Sequence, residues 1–188
     1  SPNCRMKKLA ALLAAAVAAL LIVVVVRTIR FTPLRRETAT GAVLAPQNDS
    51  LLAAHLAGAV RFATISKQGS GPELEPMRAL HEYLAQTFPR TYAALGHEVV
   101  DPASLLFEWK GTDSTLDPVV MMSHLDVVPV EAGSEGAWTH SPFLGDIADG
   151  FVWGRGTLDD KVGVLSTLEA VDALVTKGYR PKRTVYLA

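Results

Sequence analysis

One cysteine, Cys4, in 188 residues excludes an internal disulfide, a C-x-x-C redox pair and a cysteine zinc site. Any metal must therefore be held by His, Asp and Glu. Acid is missing from the first 36 residues, which carry seven Lys/Arg, while the remainder carries eleven Lys/Arg against nineteen Asp/Glu. The net charge of −1 hides this division. An acidic body lacks the basic face that phosphate binding needs, which excludes nucleic acid as a partner. Several catalytic signatures are also absent. There is no G-x-S-x-G elbow, no G-x-x-x-x-G-K-[ST] phosphate loop and no H-E-x-x-H. Gly69-Ser70-Gly71 is a turn, not a dinucleotide fingerprint.

What is present begins with an apolar run. Leu9 to Val26 (LAALLAAAVAALLIVVVV) has no polar side chain. As a helix it spans about 27 Å, close to the hydrocarbon thickness of a bilayer. Lys7 and Lys8 precede it; Arg27 and Arg30 follow it, placed to reach the lipid interface. The nearest small-x-small stretch after Val26, Thr40-Gly41-Ala42, lies too far downstream for cleavage, so the run reads as an uncleaved single-pass anchor rather than a signal peptide. The organisation expected is a basic flank (1–8), a transmembrane anchor (9–26), a linker (27–50) and a catalytic body (51–188). Asn48-Asp49-Ser50 fits the glycosylation sequon, a triplet too common to carry weight alone.

The body alternates helix and strand patterns, as an α/β fold does. Asp49 or Ser50 can cap a helix over 51–64, and 66–72 reads as a loop. A helix over 75–88 has Met77, Leu80, Leu84 and Phe88 on one face, and Pro89 limits it. Strands are expected at 98–100, 105–109, 119–122 and 184–188. The unbroken run at 119–122 predicts a strand covered on both faces. Asp149-Gly150 predicts a hairpin turn between 147–148 and 151–153. A helix over 161–177 has Val164, Leu165, Leu168, Val171, Leu174 and Val175 inward, with Gly178 as its cap. His55, His81, His97 and His140 read as structural or solvated.

Chemistry concentrates between Val119 and Gly163. The strand run ends in Ser123-His124-Leu125-Asp126, and ligands in α/β sheets bind outside the carboxyl ends of strands. Two apart on an extended chain, His124 and Asp126 share a side, as a metal ligand and its orienting carboxylate would. Downstream, Gly154-Arg155-Gly156-Thr157-Leu158-Asp159-Asp160-Lys161 leaves a hairpin and opens a helix. One of its adjacent carboxylates suits bridging of two cations. Each piece alone has a bland reading: H-x-D by chance, Asp-Asp as a helix cap, Arg155 and Lys161 as partners of those acids. The ordered combination favours a metal site. On the bare residues, a magnesium-dependent phosphohydrolase using Asp126, Asp159 and Asp160 and a non-catalytic binding module remain open.

MMSHLDVVPV followed by WTHSPFLGDIADGFVWGRGTLDDK resembles the di-zinc metallopeptidase family M20 of carboxypeptidase S, aminoacylase and the ArgE/DapE deacylases. The resemblance runs from about Leu51 to Ala188 and is strongest to the membrane-anchored carboxypeptidase S branch with its N-fatty-acyl-amino-acid hydrolases. It implies the amino-terminal part of a mixed-sheet zinc-peptidase domain behind a transmembrane helix. It further implies that His124 ligates one zinc, that Asp159 bridges two Zn2+ ions, that catalytic Asp126 orients His124, and that the Asp159–Asp160 bond is cis. Val162 departs from the glycine many members carry there. The family's glutamate pair, final histidine ligand and dimerisation domain would all fall after Ala188. The implied activity, hydrolysis of an amide bond in peptides or N-acyl amino acids by a metal-bound water, therefore belongs to the full-length protein. The 188 residues alone are expected to be inactive. The anchor implies a lipid bilayer partner and an extracytoplasmic catalytic domain; the missing domain implies a homodimer.

Overall fold

The computed structural model describes residues 2–31 and 49–188. Most of the expected linker and Asn48 of the sequon lie outside these residues. The chain divides into two compact units, Ser1–Ala45 and Pro46–Ala188.

The described part of the first unit is one helix, α1 (Pro2–Arg30), followed by Phe31. Within it Met6–Arg30 is long and apolar enough to cross a membrane by length and composition. Its side chains are exposed all round, with no apolar stripe turned to a core. The helix extends past both ends of the apolar run, because Lys7, Lys8, Arg27 and Arg30 are good helix formers.

The second unit contains helices α2 (Asp49–Val60), α3 (Leu74–Thr87), α4 (Pro89–Ala94) and α5 (Val162–Thr176). Its main sheet holds β3 (Gly96–Val100), β4 (Ser104–Trp109), β5 (Val119–Met121) and β8 (Val185–Leu187), in the order β3-β4-β8-β5. Two hairpins are separate: β1 (Ser66–Lys67) with β2 (Gly71–Pro72), and β6 (Asp146–Ala148) with β7 (Phe151–Trp153). The sheet is mixed, since β3–β4 and β4–β8 are antiparallel and β8–β5 is parallel. Leu187 lies between Phe107 on β4 and Met121 on β5. One core forms where Leu80, Leu84 and Phe88 of the α3 region meet Leu165, Leu168 and Val171 of α5, with Phe107 and Leu187 of the sheet.

Four differences from the sequence expectations have local causes. Helix α2 stops at Val60 rather than Thr64, because the next residues turn tightly (Phe62 N–H to Ala59 C=O, 3.3 Å) and Thr64 pairs elsewhere. Pro89 begins a helix as well as limiting one, since its fixed φ suits a first helical position. The stretch over 66–72 is a two-stranded hairpin, with Gly69 and Gly71 at positive φ. Strand β5 is not covered on both faces: it lies at the sheet edge, and Val119, Val120 and Met121 are all exposed. The β6–β7 hairpin turns on Asp149 (φ 54°) and Gly150 (φ 79°), as Asp-Gly predicts. Gly178 ends α5 at φ 70°, its N–H bonded to Val175 C=O at 2.8 Å.

Candidate metal centre

Strand β5 delivers His124. The parallel ladder continues one step beyond the strand, with Ala188 N–H on Met121 C=O (2.9 Å) and Ser123 N–H on Ala188 C=O (3.0 Å). The chain then runs extended through His124 and Asp126. Asp159 arrives from the other side, after β7, in an irregular turn over Thr157–Lys161 where Asp159 (φ −131°, ψ 88°) and Asp160 (φ −138°, ψ 27°) leave helical geometry. The Asp159–Asp160 bond is cis.

These two segments bring three of the candidate residues together. His124 Nε2 lies 3.0 Å from Asp159 Oδ1. His124 Nδ1 lies 3.0 Å from the Asp126 carbonyl oxygen and 3.3 Å from Asp126 Oδ1. A carbonyl only accepts, so Nδ1 carries the proton and donates to it. In the neutral ring Nε2 then presents a lone pair to a carboxylate oxygen. Two acceptors at this distance need a proton or a cation between them. Burial lowers the His124 pKa but is outweighed by its bonds to the Asp126 carbonyl and the Asp159 carboxylate and by both negative charges, so the net shift is upward. The separation also fits two ligands of one ion, because zinc–ligand bonds near 2.0–2.1 Å set tetrahedral donors about 3.3 Å apart. Asp159 is 88% exposed at its side chain, so its second oxygen is open. Asp160 does not join the pair. Its carboxylate folds back to the head of α5, where a Cβ on Gly163 would lie 2.4 Å from Asp160 Oδ1. Among the described residues no group of three His, Cys, Asp or Glu side chains is arranged to hold an ion.

Residues 120–188 match the family model for peptidase family M20/M25/M40. A probable carboxypeptidase S-like protein of Dictyostelium discoideum is 37% identical over 174 residues, covering 87% of this chain and 33% of that protein. Carboxypeptidase S of Saccharomyces cerevisiae is 36% identical over 141 residues, covering 71% of this chain and 24% of its own. The N-fatty-acyl-amino acid synthase/hydrolase PM20D1 of Xenopus tropicalis is 35% identical over 146 residues, covering 77% and 28%.

This chain belongs to peptidase family M20/M25/M40.

It spans about a third or less of the length of these family relatives. The fold agrees. Human carnosine dipeptidase 1 superposes with a TM-score of 0.57 at 24% identity over 74% of this chain and 31% of that one. A family M20 metallo-carboxypeptidase of Sulfolobus solfataricus gives 0.55 at 21% identity, over 72% and 29%.

Around this candidate site the structure adds Thr64 and gives other partners to residues that the sequence reading had placed. Lys161 pairs with neither aspartate; it is fully buried and donates from Nζ to the Ala59 (2.9 Å) and Phe62 (2.6 Å) carbonyl oxygens. Burial pulls its pKa down to about 8. The available signal was its spacing, three and four residues before Val164 and Leu165 on the inward face of α5. Arg155 sets its guanidinium 5.1 Å from the centre of the Trp138 ring, again away from the acids. Thr64, also fully buried, donates its hydroxyl to the Leu125 carbonyl at 2.6 Å. The other histidines have structural partners: His55 with Glu169, and His140 with Asp146 while stacked on Trp153. His97 packs against Tyr92 and Phe107. His81 is not simply solvated, since its Nε2 is buried without a partner.

Proposed function

We propose that the full-length protein is a membrane-anchored, zinc-dependent hydrolase of amide bonds in peptides or N-acyl amino acids. The observation that carries this reading is the pair of facing acceptors, His124 Nε2 and Asp159 Oδ1 at 3.0 Å, at the carboxyl end of a sheet strand. His124 and Asp159 would hold zinc, with Asp159 bridging two ions through its two oxygens. Zinc supplies Lewis-acid polarisation of a carbonyl and a lowered pKa for water. The chain's own part is placement. The Asp126 backbone and carboxylate keep the proton on Nδ1 of His124, which leaves Nε2 free as a ligand. The exposed Asp159 leaves the reacting face open to a substrate. The names of relatives support both substrate classes: carboxypeptidases on one side and N-fatty-acyl-amino acid hydrolases on the other.

The proposed organisation is an anchor at 9–26, a linker at 27–50 and the amino-terminal half of the catalytic domain at 51–188, facing away from the cytoplasm. The apolar helix near the amino terminus supports the anchor.

The test is hydrolysis of an N-acyl amino acid and of a blocked dipeptide by the full-length protein, before and after zinc removal by chelation. Activity should vanish with the metal and return with zinc. His124→Ala and Asp159→Ala should each abolish turnover, and Asp126→Asn should lower zinc affinity by about 10–100-fold. Full activity in Asp159→Ala would sink the reading.

A further inference from the structure

The two halves of the candidate centre do not touch the same strand or helix. His124 follows β5; Asp159 precedes α5. Both are instead moored to one short segment at the end of α2. On one side Thr64 holds the His124 half. Its hydroxyl donates to Leu125 C=O at 2.6 Å, its carbonyl accepts from Val127 N–H at 2.9 Å, and Ser66 N–H reaches Val127 C=O at 2.9 Å. These bonds grip the residues on both sides of Asp126. On the other side Lys161 holds the Asp159 half by its bonds to the Ala59 and Phe62 carbonyls. Those carbonyls lie at and just beyond the carboxyl end of α2, where the dipole favours a cation. The glycine turn between the halves closes the arrangement. A Cβ on Gly154 would lie 2.3 Å from Val60 Cγ1, and one on Gly156 2.3 Å from Val127 Cγ1.

Burial shows that these contacts are not surface accidents. Thr64 and Lys161 are both 0% exposed. An amine buried on two carbonyls, with no carboxylate at ion-pair distance among the described residues, is a costly way to pack a helix start. A methionine would fill such space without desolvating a charge.

We propose that Thr64 and Lys161 are positioning residues of the centre, setting the distance between His124 and Asp159 by tying each half to the carboxyl end of α2. This rests on the reading of His124 and Asp159 as the metal-holding pair only for its effect on zinc; the distance itself is independent of that reading.

The experiment uses the full-length protein in detergent micelles, selectively labelled at His and Asp, with two NMR readouts. The first is the set of NOEs between the His124 ring and the Asp159 β protons without metal. The second is the zinc-induced shift of His124 Nε2. Thr64→Val and Lys161→Met should each remove the NOEs and weaken zinc at His124 by about 10–100-fold. Thr64→Ser, which restores the hydroxyl, should recover both. Thr91→Val is the control, since Thr91 is equally buried but bonds Asp172 away from the centre. It should lower thermal stability and leave both readouts in place. If Thr64→Val and Lys161→Met fold and keep wild-type NOEs, the proposal is overturned, as it is if Thr91→Val moves them equally. Should one variant fail to fold, the other decides. A wild-type chain whose NOEs are present but whose Nε2 ignores zinc would overturn the metal reading and leave the positioning result standing.

Discussion

Gly156 shows how much one residue decides here. Its φ of 82° suits glycine, and a side chain would strike Val127, one residue beyond Asp126. Gly156→Ala combines left-handed strain with overpacking, so we expect a loss of roughly 2–4 kcal/mol, read as a lower denaturation midpoint. His81 gives a pH-dependent case. Burial lowers its pKa below 6.5, against an opposing hydrogen bond to the Ala103 backbone. The unfolded chain therefore takes up a proton that the folded chain resists, and stability falls as pH drops through 6.5. His81→Gln should flatten this part of the profile in thermal melts at pH 7.5 and 5.5. Patterns marked His81 as solvated because i, i+3, i+4 spacing reports the helix and not the turn at 101–103 that packs beside it. They did bring out His124, Asp126 and the Asp159-Asp160 pair as candidates, because a strand end and a glycine-framed acidic pair are local signals, while the choice of Asp159 came from the family resemblance. Thr64 was not singled out, and Lys161 was read as a partner of the neighbouring acids, because the groups they bond lie 61 and 102 residues away.

Among the elements, those with their own periodicity were legible. Helix α3 and its buried face, the Asp-Gly hairpin and the Gly178 stop all follow from side chains within a few residues. The end of α2 was not, because Thr64 leaves helical pairing for a bridge between Ile65 and Val127. Strand β5 was found, and within the described residues it lies at a sheet edge with Val119, Val120 and Met121 exposed. This apolar run of three has no charge or proline in it, and so offers its backbone to a further strand. At the opposite edge, β3 carries Glu98 at its centre. Val120→Lys should therefore reduce self-association of the 188-residue chain, measured by light scattering in detergent, while Val99→Lys on β3 should change it less.

At the scale of the molecule, one segment near residue 60 fixes two loops that sequence order keeps far apart. Synthesis runs from amino to carboxyl terminus, and chains begin to fold as they emerge. Residues 57–66 thus leave the ribosome before either loop exists. The His124 loop follows some sixty residues after Thr64, and the Asp159 turn follows about a hundred residues after the carbonyls that receive Lys161. The mooring point is older, in the life of each chain, than everything it moors. The two halves of the centre then need not find one another directly: each docks on a segment synthesised before it.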